Sequence, residues 1–71
     1  MPSTVIRAAH YHPEREMLDI LFTTGRRYFY HRVPAEEARA FRAAFSKGRY
    51  FNAHIRDRYA FTEATGAEDP S

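Results

Sequence analysis

The chain contains no cysteine, which excludes disulfides, thiolate metal sites and thiol nucleophiles and leaves an apolar core as the source of stability. A reducing compartment fits that absence, and we expect a cytoplasmic protein. Nowhere is there a run of the roughly 18 apolar residues that a membrane span requires. The start Met1-Pro2-Ser3-Thr4 also lacks the charged-then-apolar pattern of a secretory signal, so no membrane partner is expected. The three glycines, Gly25, Gly48 and Gly66, stand isolated, which leaves no phosphate-cradling loop. Repeats and low-complexity tracts are missing as well.

What is present suits one small domain. Seventy-one residues, 44% hydrophobic and 15% aromatic, are too apolar for a disordered segment and sit near the lower size limit for a core without covalent staples. There is room for two layers. All eleven Lys and Arg fall within residues 7–58, so over residues 1–59 eleven bases face six acids, a surplus of +5 within a chain of net charge +2. Such a surplus favours polyanionic partners, but a solvated basic surface is common in small proteins, and the charge alone decides little.

Val5 to Tyr11 reads as a first strand, closed by the turn-forming His12-Pro13-Glu14. Leu18, Ile20 and Phe22 alternate with Met17, Asp19 and Leu21 to give a second. Thr24-Gly25 supplies a hairpin turn, and Arg27 to Val33 returns as a third, aromatic-rich strand. Pro34 suits a first helical position, with Glu36 and Glu37 against the positive end of the helix dipole. Ala38, Phe41 and Phe45 then form one apolar stripe. Ser46-Lys47-Gly48 interrupts it, with Gly48 able to end one helix and Ser46 to cap the next. A second helix over about Tyr50 to Arg58 must pack Phe51 and Ile55, because it is too short to stand alone. Residues 60–71 collect Thr, Glu, Gly and Pro and read as a flexible acidic tail. The expectation is an α+β domain over residues 1–59, a three-stranded antiparallel sheet followed by two short helices packed on one face.

The hairpin decides which face is left open. With a loop of two or four residues, Ile20 lies opposite Phe29 and Asp19 opposite Tyr30. Leu18, Ile20, Phe22 and Phe29 then floor the helices, while Tyr28 and Tyr30 stand in solvent beside Arg26 and Arg32. Exposed rings between cations are how several RNA-binding modules hold unpaired bases. The same tyrosines serve equally as core or as cross-strand neighbours on a half-buried face, and a bulged three-residue turn would exchange the two faces.

Tyr11, Leu18 to Phe22 then Gly25, the triplet Tyr28-Phe29-Tyr30, Val33-Pro34, Ser46-Lys47-Gly48, Phe51-Asn52 and Ile55-Arg56 with Tyr59 together resemble the KTSC domain. This small module is found alone in bacteria and at the C-terminus of some lysyl-tRNA synthetases. The resemblance covers most of the folded part and implies no enzyme activity and no cofactor. An RNA or tRNA partner is suggested for the family by that attachment. Carried across, it nominates Tyr28, Tyr30, Lys47, Arg49, Asn52, Arg56 and Tyr59 as a shared surface. Asn52, Arg56 and Tyr59 fall on one helix face by spacing, and Lys47 and Arg49 flank Gly48 where bases suit phosphate or mere solubility. His31-Arg32 departs from the smaller or acidic residues that the family often places before Val33-Pro34.

His10 and His12 share a strand face, with His31 on a neighbouring segment, but three histidines without cysteine or a carboxylate pattern make a poor zinc set. We expect no metal. Adjacent Ser46 and Lys47 point apart in a turn and have no oxyanion donor, so we expect no catalysis. Two expectations remain. One is a non-catalytic RNA-binding module acting through the Tyr/Arg face and the basic interhelical turn. The other is a protein-interaction or self-association module using the same aromatics.

Overall fold

The computed structural model describes residues 6–64. Val5, expected to open the first strand, and the last seven residues of the expected tail lie outside them. β1 (Ile6–His12), β2 (Met17–Phe22) and β3 (Arg27–Tyr30) are followed by α1 (Ala35–Ala43), α2 (Lys47–Tyr50), a π-helical turn (Phe51–Ile55) and β4 (Phe61–Ala64). The sheet is antiparallel with strand order β1-β2-β3-β4. It therefore has four strands, not three. β4 lies in the segment assigned to the tail, which corrects the expectation that the fold stops at Tyr59. Phe61 pairs with Tyr30 and Thr62 with Phe29, and the His31 amide reaches back to the Ala60 carbonyl at 2.9 Å.

Leu21 pairs with Arg27, so Phe22 faces Arg26 and the β2–β3 hairpin closes around three residues, Thr23-Thr24-Gly25, although Arg26 itself precedes the start of β3. The Gly25 amide donates to the Phe22 carbonyl at 2.9 Å, and the Phe22 amide to the Arg26 carbonyl at 2.8 Å. Gly25 sits at φ 96°, the left-handed position that closes a three-residue hairpin and that only glycine occupies freely. A Cβ there would meet nothing within 4 Å, so the demand for glycine comes from the backbone rotation and not from crowding. The odd loop shifts the pairing to Ile20 with Tyr28 and Leu18 with Tyr30, one residue from the expected register. Directly paired residues share a sheet face. Tyr28 and Tyr30 therefore lie with Leu18, Ile20 and Phe22 beneath the helices, and Phe29 goes with Asp19 to the other side. The expected open tyrosine face does not form.

Core packing follows from this parity. Leu18, Ile20, Tyr30, Val33, Phe41, Phe51 and Ile55 form one buried cluster, with Phe51 and Ile55 packed as their spacing requires. The Tyr11 hydroxyl donates to the Val33 carbonyl at 2.7 Å, tying β1 to the segment that enters α1. On the opposite face Asp19 is only 8% exposed. Its carboxylate accepts a hydrogen bond from Arg27 Nε at 3.0 Å, which compensates a charge that would otherwise be costly to bury.

The helical layer differs from expectation at its joint. Pro34 is the N-cap of α1, extended at ψ 156°, instead of its first helical residue. α1 stops at Ala43 because Ala44 turns extended (ψ 142°). Ser46 then caps α2, its Oγ accepting from the Arg49 amide at 3.3 Å. Gly48 is inside α2 and ends nothing. Phe45 leaves the expected stripe entirely and is fully exposed, forgoing the roughly 1.5–3 kcal/mol that burial of such a side chain brings. α2 runs without a break into the π-helical turn, where the Arg56 amide reaches five residues back to the Phe51 carbonyl at 2.8 Å.

Removing residues 60–71 deletes β4 and the ring pairs that Phe61 makes. We expect this to lower the unfolding free energy by roughly 1–3 kcal/mol, read as a lower urea midpoint. An unchanged midpoint would contradict the place of β4 in the fold.

Candidate functional site

Parity at Gly25 brings aromatic side chains from four elements to one end of the helical layer. Phe22 lies edge-on to Tyr28 and to Phe51, each at 5.4 Å between ring centroids. Tyr30 meets Phe51 at 5.3 Å, and Phe61 from β4 lies 5.4 Å from Tyr28 and 5.5 Å from Tyr30. Such edge-on and tilted contacts satisfy the ring quadrupoles. Above this floor is an open groove of about 520 Å³, bordered by Arg26 and Thr24 of the hairpin and by Asn52, Arg56 and Asp57 of the helical segment. That volume lies within the range of about 300–1,000 Å³ typical of small-ligand sites.

The floor is not uniformly covered. Tyr30 is 4% exposed, and burial pushes its phenol pKa above the ordinary value. Tyr28 is half-buried and Phe61 is 53% exposed, so these two rings offer faces to a ligand. At the rim, Arg56 donates to Asn52 Oδ1 at 3.3 Å, which leaves the Asn52 amide group and the remaining guanidinium N–H groups pointing outward as donors. Arg26 lies 3.6 Å from Glu63. Asp57 adds acceptors and makes no ion pair among the described residues.

Of the residues singled out in the sequence, Tyr28, Tyr30, Arg26, Asn52 and Arg56 meet in this groove. The other four lie elsewhere. Arg32 follows β3 at φ 61° and is exposed away from the groove. Lys47 and Arg49 belong to the first turn of α2, and Lys47 Nζ donates to the Ala44 carbonyl at 3.4 Å. The Tyr59 hydroxyl donates to Glu37 Oε1 at 3.1 Å, which ties the chain end to α1. Sequence reasoning missed Phe61 and Asp57 and assigned Phe22 and Phe51 to the core alone. His31 Nε2 contacts Thr62 Oγ1 at 2.9 Å and is separated from His10 and His12 by β2. Among the described residues no group of three or more His, Cys, Asp or Glu is placed to hold a metal, and no helix is long and apolar enough to cross a membrane.

The family model of the KTSC domain matches residues 2–59. The chain belongs to the KTSC domain family. It is 39% identical over 57 residues to a protein of Tsukamurella paurometabola, covering 80% of this chain and 85% of that one. To an uncharacterised protein of Stutzerimonas stutzeri it is 38% identical over 52 residues, 73% of each chain. The crystal structure of a KTSC domain protein from Yersinia pestis superposes with a TM-score of 0.80 at 31% identity, covering 92% of this chain and 94% of that one. Residues 1–59 alone cannot supply such a share, so the likeness reaches into the segment that holds β4. KTSC membership establishes a small α+β domain with an antiparallel sheet and short helices; it assigns no ligand.

In this KTSC domain Glu37 also accepts a hydrogen bond from the Tyr50 hydroxyl. That bond, then burial and the carboxylate's charge, pushes the Tyr50 pKa from 10.0 up to about 12. Burial and the bond to Glu37 raise Tyr59 as well. A phenol whose folded pKa is raised stabilises the fold fully below its unfolded pKa and loses that contribution as pH climbs through the folded value. We expect stability to fall between pH 10 and about 12 as the Tyr50 phenolate forms. Melting curves paired with phenolate absorbance test this, and Glu37→Gln should move the titration down toward 10. Identical profiles for both proteins would contradict the assignment.

Proposed function

We propose that this domain is a non-catalytic binding module of the cytoplasm that holds a short single-stranded RNA segment in the aromatic groove. What carries the reading is the convergence of Tyr28 and Phe61 ring faces with the Arg26 and Arg56 guanidiniums on one open groove. Bases have apolar faces that stack on such rings, and phosphates accept from guanidinium N–H groups. Asn52 and Asp57 supply a donor and an acceptor for base edges. Neither a nucleophile with a base nor a metal is needed for this. The attachment of KTSC modules to some lysyl-tRNA synthetases, implied by the resemblance, fits a tRNA partner.

One observation favours a second reading, a protein partner or self-association. Arg26 is already paired with Glu63 and Asp57 lines the groove, so the local charge is close to balanced around an exposed ring.

Titration of fluorescent single-stranded RNA separates the two. On the RNA reading, affinity falls linearly on a log–log salt plot, and Tyr28→Ala weakens binding by about 1–3 kcal/mol. Arg56→Ala lowers the salt slope by about 1. Absence of binding at low ionic strength sinks this reading. A dimer that ignores salt and is lost in Phe61→Ala would support the second.

A further inference from the structure

Phe45 is the most exposed large apolar side chain among the described residues, at 105% of its reference area. It is held there by structure. Ala44 turns extended, its amide closing on the Phe41 carbonyl at 3.2 Å, and Ser46 is fixed as the cap of α2. Continuing α1 by half a turn would have carried Phe45 toward the Phe41 stripe. The chain instead breaks the helix and sends the ring outward.

The surroundings of that ring are cationic. Residues 38–56 contain five Lys or Arg and no acid. Lys47 stays beside the turn through its bond to the Ala44 carbonyl, and Arg49 is exposed two residues later in the same turn of α2. Arg49, Asn52 and Arg56 recur at spacings of three and four, the helical neighbour relation. The Asn52–Arg56 hydrogen bond at 3.3 Å shows that relation persisting through the π-helical turn. A polar, basic track thus runs from the Phe45 turn to the rim of the aromatic groove, about 10 Å at a rise of about 1.5 Å per residue.

We infer that the turn carrying Phe45, Lys47 and Arg49 is a second contact for the same RNA strand, Phe45 stacking one base and the two cations meeting phosphate beyond the groove. This rests on the groove reading above. Rings alternating with cations along a strand are how single-stranded nucleic acid is held without sequence preference. An anionic bilayer is the competing partner for a ring amid cations. It calls for a broad apolar face beside the positive charge, whereas Phe45 stands alone in the helical layer.

The test compares a labelled uridine dinucleotide with a labelled oligouridine of about 12 nucleotides; at a rise of about 3.4 Å per nucleotide in a stacked strand, the dinucleotide is too short to reach from the groove to the Phe45 turn. The wild-type chain should bind the longer oligomer about tenfold more tightly, and Phe45→Ala should remove that advantage without changing the affinity for the shorter. Its melting temperature should not fall, because the ring packs against nothing, and Phe45→Trp should restore the advantage. Lys47→Ala with Arg49→Ala should reduce the salt slope for the longer oligomer only. Equal binding of the longer oligomer by the wild type and Phe45→Ala overturns the second contact and leaves the groove reading standing. Failure of both oligomers to bind overturns the groove reading first and this one with it. Capture of phosphatidylglycerol vesicles that Phe45→Ala abolishes, with RNA binding unchanged, assigns the turn to a membrane surface and overturns the inference.

Discussion

A single backbone rotation at Gly25 determines which side chains meet. With Gly25 at φ 96° the β2–β3 loop closes with three residues, and side chains alternate strictly along a strand. Every residue of β3 therefore takes the face that an even loop would have denied it. Tyr28 and Tyr30 turn toward the helices, and Arg27 comes to the far side, where it meets the Asp19 carboxylate. An even loop would have left Asp19 beside tyrosines and without that guanidinium. The buried acid and the buried phenol are thus two consequences of the same turn.

Burying Tyr30 makes the rest of the aromatic cluster possible. Its ring is flanked by Phe51 from the helical side and Phe61 from β4, and the groove is the space left where these elements do not fully close over Tyr28. The π-helical turn sets its far rim, since Phe51 and Ile55 point inward from it while Asn52 and Arg56 remain at the surface. Core and candidate site share Phe22, Phe51 and Tyr30, which places the groove on rigid ground.

Much of this was readable in the sequence, and the failures have physical causes. The alternation of Leu18, Ile20 and Phe22 fixed the inner face of β2, because nothing polar competes for it. Phe51 and Ile55 were placed correctly because a helix too short to stand alone has to pack its apolar pair. Register was not readable, since Thr-Gly suits hairpins of either parity and only the three-dimensional closure selects one. β4 was hidden because four residues with a single ring, next to Gly and Pro, carry too little periodicity to stand apart from a tail. Phe45 was misplaced because Ala43-Ala44-Phe45 favours helix locally, whereas capping by Ser46 requires the chain before it to turn extended. Five of the nine nominated residues still reached the groove. Composition identified the useful chemistry even where the face was wrong, and Phe61 was lost with its strand.

The account stands or falls on which neighbours the β3 rings have. Through-space proton contacts measured by NMR in the free protein report this directly. We expect the Tyr30 ring to contact the rings of Phe51 and Phe61, and Phe29 to contact neither. Contacts from Phe29 to Phe51, with the Tyr30 ring near Asp19 and Met17, would restore the even register and contradict the placement of the groove.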